Sequence, residues 1–225
     1  ATLFKAAKRD INLALANELA IFCENVGVDY LETMKLSWDD YEAGLVRPSI
    51  SQDANQSTAG LLEDSAESLN TKLRLPLLAK QINEYMIKHA VNLTQEALRK
   101  GDKTIRRAKI AIIGTANTGT ANIKFIELLE SKGAKINQYD PIYFQNSTTD
   151  TGRIIKKTIN ETVEGADCLV LLSEQEQLKR LNLKKLKAIM KSPAAIVDLT
   201  GTVEPNRAQD EGFIYRGLGR GTWKK

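Results

Sequence analysis

Apolar residues in the first 26 positions recur at intervals of three, four and seven. Phe4, Ile11, Leu15, Leu19, Phe22 and Val26 therefore share one helical face, with Lys8, Arg9 and Glu18 on the other side. Gly27 stands where a C′ glycine would end that helix. Asp29 is placed to cap a shorter one running to Leu36. Residues 47–60 (RPSISQDANQSTAG) break the pattern, being polar and poor in large apolar side chains. They read as a loop, and a loop of that length in a compact protein is functional or mobile. Helical spacing returns from about Leu61 to Arg99, with a break or kink expected at Pro76. Leu78, Ile82, Tyr85, His89, Leu93 and Ala97 share one face, and Gly101-Asp102 closes the segment.

The period then changes. Lys109 to Gly114 (KIAIIG) is a short apolar run ending in glycine, the mark of a buried parallel strand. A turn rich in Thr, Asn and Gly follows, then a helix carrying Ile123, Ile126, Leu128 and Leu129, stopped by Gly133. Lys135 to Tyr139 is the next strand, halted by Asp140-Pro141. Asp167 to Leu172 and Ala194 to Leu199 are further buried strands, with a helix expected over Leu178 to Met190 between them. Phe213-Ile214-Tyr215 is a last short strand. Strands alternating with helices predict an α/β layer with a mostly parallel sheet. Two domains are expected, a helical one over 1–104 and an α/β one over 105–225. No internal repeat or low-complexity tract is present.

Composition narrows the class. The 225 residues are 42% hydrophobic, enough for an ordinary core, and the net charge of +4 is too mild to imply nucleic acid. Lys184, Lys185, Lys187 and Lys191 cluster, and a solvated helix face explains them better than a binding patch. Cys23 and Cys168 are far apart in apolar contexts, as buried free thiols are. No disulfide framework follows, and a reducing, cytoplasmic compartment fits. No run approaches the ~20 apolar residues of a membrane span, and no signal peptide pattern is seen. The start at Ala1, without methionine and directly in a helical pattern, suggests a fragment or a processed product.

Candidate chemistry is concentrated in one turn. Gly114-Thr115-Ala116-Asn117-Thr118-Gly119-Thr120 joins a strand to a helix, where an open α/β sheet binds ligands and free N–H groups favour anions such as a diphosphate. Its glycines are five apart, so neither G-x-G-x-x-G nor the P-loop pattern is met, Thr120 standing where the P-loop lysine would be. By spacing alone, a plain tight turn and a ligand turn fit equally. His89 reads as a core-edge histidine rather than a base. One histidine and two distant cysteines cannot form a structural zinc site, and no Ser-His-Asp set can be drawn. Asp39 and Asp40, beside Trp38 and Tyr41, read as a solvated turn.

The order of segments nevertheless resembles the UDP-glucose/GDP-mannose dehydrogenase family, most closely its UDP-N-acetyl-mannosamine branch. Residues 12–29 (NLALANELAIFCENVGVD) resemble the long central helix, and 79–86 (AKQINEYM) the second helix of the central domain. Lys109 to Gly114, with 126–129 (IELL) and Tyr139-Asp140-Pro141, resembles the opening βαβ unit of the C-terminal nucleotide-binding domain. Residues 165–172 (GADCLVLL) fit a later strand, and 212–221 (GFIYRGLGRG) resemble the C-terminal signature. The resemblance implies a helical dimerisation domain followed by a Rossmann-like parallel-sheet domain that binds a UDP-sugar. It also implies a homodimer through the central helices and a place in polysaccharide biosynthesis, without nucleic acid or membrane as partners. Gly114, Asn117, Thr118, Gly119 and Thr120 are the candidate nucleotide-sugar-binding residues.

The family oxidises a sugar C6 alcohol twice with NAD, through a cysteine thiolate that forms a thioester, assisted by a lysine and an asparagine. The NAD domain is absent from this chain, so NAD is implied by the family alone. The loop 47–60 has no cysteine, and counting back from Leu61-Leu62 places Asp53 near that position. Counting without gaps from Arg9-Asp10 puts Thr2 at the lysine and Ala6 at the asparagine. Lys5 could replace the lysine only with a gap inside a helix, which rotates later residues by roughly 100° each. The family's Gly-Leu-Ala-Phe-Lys reads Gly114-Thr115-Ala116-Asn117, and its Asp-x-Arg-Asn reads Asp198-Leu199-Thr200-Gly201. The expectation is part of an NAD-dependent nucleotide-sugar 6-dehydrogenase, or a non-catalytic relative kept as a dimerisation and nucleotide-binding or interaction module, with no catalytic residue assigned.

Overall fold

The computed structural model describes residues 1–36, 46–50, 66, 68–114, 120–140, 154–174, 178 and 180–221. Contacts divide the chain into two compact units. One comprises Ala1–His89, Gly119–Ala121 and Leu218–Lys225, the other Ala90–Thr118 and Asn122–Gly217.

The first unit is helical. Helix α1 runs unbroken over Thr2–Val26, and Gly27 ends it in the left-handed region at φ 78°, as its position predicts. Helix α2 covers Tyr30–Leu36, and Asp29 caps it, its Oδ1 accepting the Glu32 N–H at 3.0 Å. Helix α3 spans Arg74–Lys100 and gives this unit its residues up to His89. Pro76 neither breaks nor kinks it, being the third residue of the helix, in the first turn where N–H groups have no intrahelical acceptor. The interruption falls earlier, around Asn70, which has a positive φ of 53°.

Which face of α1 is covered differs from the apolar pattern. The buried positions are small or polar: Ala6, Ala14, Ala16, Asn17, Ala20 and Cys23. Ala16, Ala20 and Cys23 pack with Tyr30, Leu31 and Met34. Phe4, Leu15, Phe22 and Val26 remain exposed, as do Leu75, Leu78 and Tyr85 on α3. Small side chains let neighbouring backbone approach, so the chain's own elements pack on the alanine face.

Asn17 fixes the chain after α2. Its Nδ2 donates to Asn83 Oδ1 at 2.9 Å and to the Ser49 carbonyl at 3.2 Å, while its Oδ1 accepts the Ser49 N–H at 2.9 Å. A fully buried amide is kept because its hydrogen-bonding capacity is filled. The C-terminal Leu218–Gly221 stretch docks here too. The Gly219 N–H donates to Glu24 Oε1 at 2.7 Å, and Glu24 Oε2 lies 2.8 Å from His89 Nε2. Arg220 meets Asp29 at 2.6 Å, both side chains buried. A Cβ on Gly221 would sit 2.4 Å from the Gly27 carbonyl carbon, so only glycine fits there.

The second unit is a parallel α/β layer. In chain order it contains β1 (Lys109–Ile113), α4 (Thr120–Ser131), β2 (Lys135–Tyr139), β3 (Ile154–Ile155), α5 (Ile159–Val163), β4 (Cys168–Leu171), α6 (Leu183–Ile189), β5 (Ala195–Asp198), α7 (Pro205–Asp210) and β6 (Ile214–Gly217). The sheet order is β3-β2-β1-β4-β5-β6, with every pairing parallel. β4 and β5 are buried at every position, as strands covered on both faces must be. Ala111, Ile113, Leu169 and Leu171 meet Val163 of α5, Leu183 and Leu186 of α6 and Ala208 of α7 in one core cluster. The helix expected over Leu178–Met190 is interrupted: Leu178 is helical, the chain turns at Arg180, and α6 starts anew at Leu183, where Asn182 caps it, its Oδ1 accepting the Lys185 N–H. β3 and α5 have no counterpart in the apolar pattern.

Candidate functional site

The direction of connection reverses at β1, which pairs with β2 on one side and β4 on the other. An open parallel sheet forms a crevice at such a point, beyond the carboxyl ends of the two strands. Gly114 stands at the end of β1 and Ser173 just beyond β4. Gly114 adopts φ 91°, and a Cβ there would lie 1.9 Å from Ser173 Oγ. Its N–H donates to the Tyr139 carbonyl at 3.0 Å. Glycine is therefore required twice over, by backbone conformation and by close approach.

Two polar side chains of the same unit stand on the segments that follow β1 and β4. Asn122, in the first turn of α4, is 1% exposed, and neither its Nδ2 nor its Oδ1 has a hydrogen-bond partner. The Ser173 Oγ is buried without a partner as well. Buried polar groups are ordinarily satisfied, and these three atoms on the segments after β1 and β4 are exceptions. Thr120 is exposed. Asn117, Thr118 and Gly119, the other residues singled out by sequence, lie outside the described residues, as do Asp53 and positions 51–60 of the polar loop.

The segment after β5 is closed on itself. Asp198 is fully buried and accepts from the N–H groups of Thr200, Gly201 and Val203 at 3.0, 2.9 and 2.7 Å, and from Thr200 Oγ1 at 2.8 Å. Its carboxylate stabilises the 198–203 turn, and Tyr215 Oη approaches at 3.4 Å. Where the sequence comparison saw a lost arginine, the structure shows a self-sufficient Asp-centred turn.

The remaining titratable candidates are structural. His89 pairs with Glu24 at the edge of the helical core. Both cysteines are free and buried. Burial pushes the Cys23 thiol up, reinforced by Asp29 and Glu24. Burial pushes Cys168 further, with Asp167 adding to it. Neither is a thiolate at neutral pH, the form a nucleophile needs. Among the described residues no group of His, Cys, Asp or Glu is arranged to hold a metal ion, and no helix is long and apolar enough to cross a membrane.

Sequence alone pointed to Gly114 and missed Asn122 and Ser173. The only sign of Ser173 was its place as the first polar residue after an apolar run. Asn122 gave no sign, since an asparagine early in a helix is commonplace.

The fold is a Rossmann-like parallel α/β sheet with its switch point between β1 and β4. Residues 114–205 match the UDP binding domain of the UDP-glucose/GDP-mannose dehydrogenase family. The chain is 30% identical over 223 residues to the UDP-N-acetyl-D-mannosamine dehydrogenase of Pyrococcus horikoshii, a match covering 95% of this chain and 49% of that protein. It is 26% identical over 222 residues to the UDP-glucose 6-dehydrogenase of Rhizobium meliloti, covering 93% and 50%. Among solved structures, an NDP-N-acetyl-D-galactosaminuronic acid dehydrogenase from Methanosarcina mazei superposes with a TM-score of 0.87 at 23% identity, over 97% of this chain and 50% of that one. In sequence and fold the chain is thus similar to members of the UDP-glucose/GDP-mannose dehydrogenase family. It spans about half the length of the curated relatives it matches.

Proposed function

We propose that this chain holds the nucleotide of a UDP-sugar at the β1/β4 switch point, as the nucleotide-binding part of an NAD-dependent nucleotide-sugar 6-dehydrogenase. The observation that carries this reading is the trio of buried, unpartnered polar atoms on Asn122 and Ser173, which follow β1 and β4, with Ser173 packed against Gly114. The match of residues 114–205 to a UDP binding domain supports it. Asn122 Nδ2 is a donor suited to a phosphate or sugar oxygen, and Ser173 Oγ can donate or accept. The chain's own glycine turn lacks the dinucleotide pattern, so NAD chemistry belongs to a domain outside these residues and no hydride step is assigned here. Cytoplasmic residence fits two buried free thiols.

A non-catalytic form of this function is favoured by α1. The helix is unbroken from Thr2 to Val26, which supports counting along it without gaps. Thr2 and Ala6 then stand where the family has its lysine and asparagine. The exposed apolar side chains of α1 and α3, Phe4, Phe22, Val26, Leu75, Leu78 and Tyr85, form the surface through which two copies would pair.

Calorimetric titration with UDP, UDP-glucose and UDP-N-acetyl-mannosamine, with NAD as control, tests the reading. Saturable heat is expected with the UDP compounds and none with NAD. Absence of any UDP binding contradicts it, and NAD turnover by the chain contradicts the non-catalytic form.

A further inference from the structure

A second cleft lies in the parallel-sheet unit. Its volume is about 340 Å³, and its lining includes Tyr139 at the end of β2, Lys157 and Asn160 at the start of α5, and Arg180 and Lys185 around the start of α6. The right-handed rule for parallel crossovers puts the leftward connection through α4 on one face of the sheet and the rightward connections through α5 and α6 on the other. The cleft thus lies on the face away from α4, and it borders the glycine turn at Tyr139, whose carbonyl accepts the Gly114 N–H.

Among the described residues, the charge lining the cleft is one-sided. Lys157, Arg180 and Lys185 come from two segments that meet only in the folded unit, and all three are exposed. Their cationic heads have no hydrogen-bonding or ion-pair partner among the described residues. The acid nearest in sequence, Glu161, uses its Oε2 to accept the Lys157 backbone N–H at 3.4 Å. The helix starts are already satisfied, Thr158 accepting from the Glu161 N–H and Asn182 from the Lys185 N–H. An anion here would be held by side chains, with the amides of Asn160 and Asn182 as neutral donors. Ile159, Leu181 and Leu186 give the lining an apolar part.

Three uncompensated cations around one concavity raise their mutual repulsion, which a polyanion relieves. The volume lies at the small end of the range for small-molecule sites, roughly 300–1,000 Å³. We infer that this cleft binds a phosphorylated small molecule carrying at least two negative charges, at a site separate from the glycine turn.

The test uses inorganic pyrophosphate as probe, on the whole chain at low ionic strength. Saturable calorimetric binding is expected, persisting in saturating UDP and weakening at least about tenfold in the Lys157→Gln/Arg180→Gln/Lys185→Gln variant. Amide resonances of residues 158–160 and 182–186 should shift in the wild type, a readout independent of the variant's folding. Failure to saturate at millimolar pyrophosphate, equal affinity in the triple variant, loss of binding with UDP, or shifts confined to Gly114 and Asn122 would each overturn the inference.

Discussion

Replacing Arg220 by methionine isolates the main electrostatic contact of the helical unit. The Arg220 guanidinium lies 2.6 Å from Asp29 Oδ2, and the two side chains are 5% and 1% exposed. Asp29 also caps α2 through its other oxygen. Methionine keeps most of the side-chain volume but strands a buried carboxylate, and breaking such a pair costs roughly 3–5 kcal/mol. Replacing both partners, as Asp29→Asn/Arg220→Met, removes the stranded charge and keeps a capping oxygen, so a large part of the loss should return. The assay is native-state hydrogen exchange at the Tyr30 and Gly221 amides, which bond the Gly219 and Val28 carbonyls. A loss of about 3 kcal/mol appears there as exchange faster by on the order of a hundredfold. A change below about 1 kcal/mol, or a double variant no better than Arg220→Met, would refute the reasoning.

Other outcomes follow from single contacts. Gly114→Ala should lower stability by about 2 kcal/mol or more, and adding Ser173→Gly should restore only part, since the positive φ remains; full recovery in a thermal melt would contradict the geometry. Asp167 is opposed by burial, which raises its pKa. The Lys103 ammonium at 2.9 Å and the Lys109 N–H outweigh burial and hold the carboxyl below its ordinary value. Its stabilising contribution is complete above the unfolded-state value and is lost as pH falls below about 4 toward the depressed folded value. Wild type should therefore exceed Asp167→Asn in stability at pH 7 and converge with it in acid, and a gap independent of pH would be the contrary result. Cys23 and Cys168 should resist a thiol reagent at pH 8 in the native protein and both react after denaturation.

The α/β half was legible because parallel strands covered on both faces must be runs of apolar residues, as in KIAII, CLVL and AIVD. β3, with two residues, and α5, with five, are too short to show any period. The helical half was legible in its caps, since Gly27 and Asp29 act locally. Its buried face was not, because periodicity marks an apolar face without saying what covers it. α1 turned its alanines inward and left Phe4 and Phe22 outside. At the site, Gly114 announced itself by its place after a strand. Asn122 and Ser173 matter only through the absence of neighbours able to pair with them, a tertiary property.

The most direct test is the effect of Asn122→Leu on UDP affinity and on stability together. Leucine has the same branched skeleton and removes two buried polar atoms that lack partners, so the unliganded protein should be at least as stable as wild type. UDP should bind about ten- to a hundredfold more weakly, the loss of a hydrogen bond to a charged group. Unchanged UDP affinity, or a large loss of stability without ligand, would show that Asn122 serves the fold and that the nucleotide is held elsewhere.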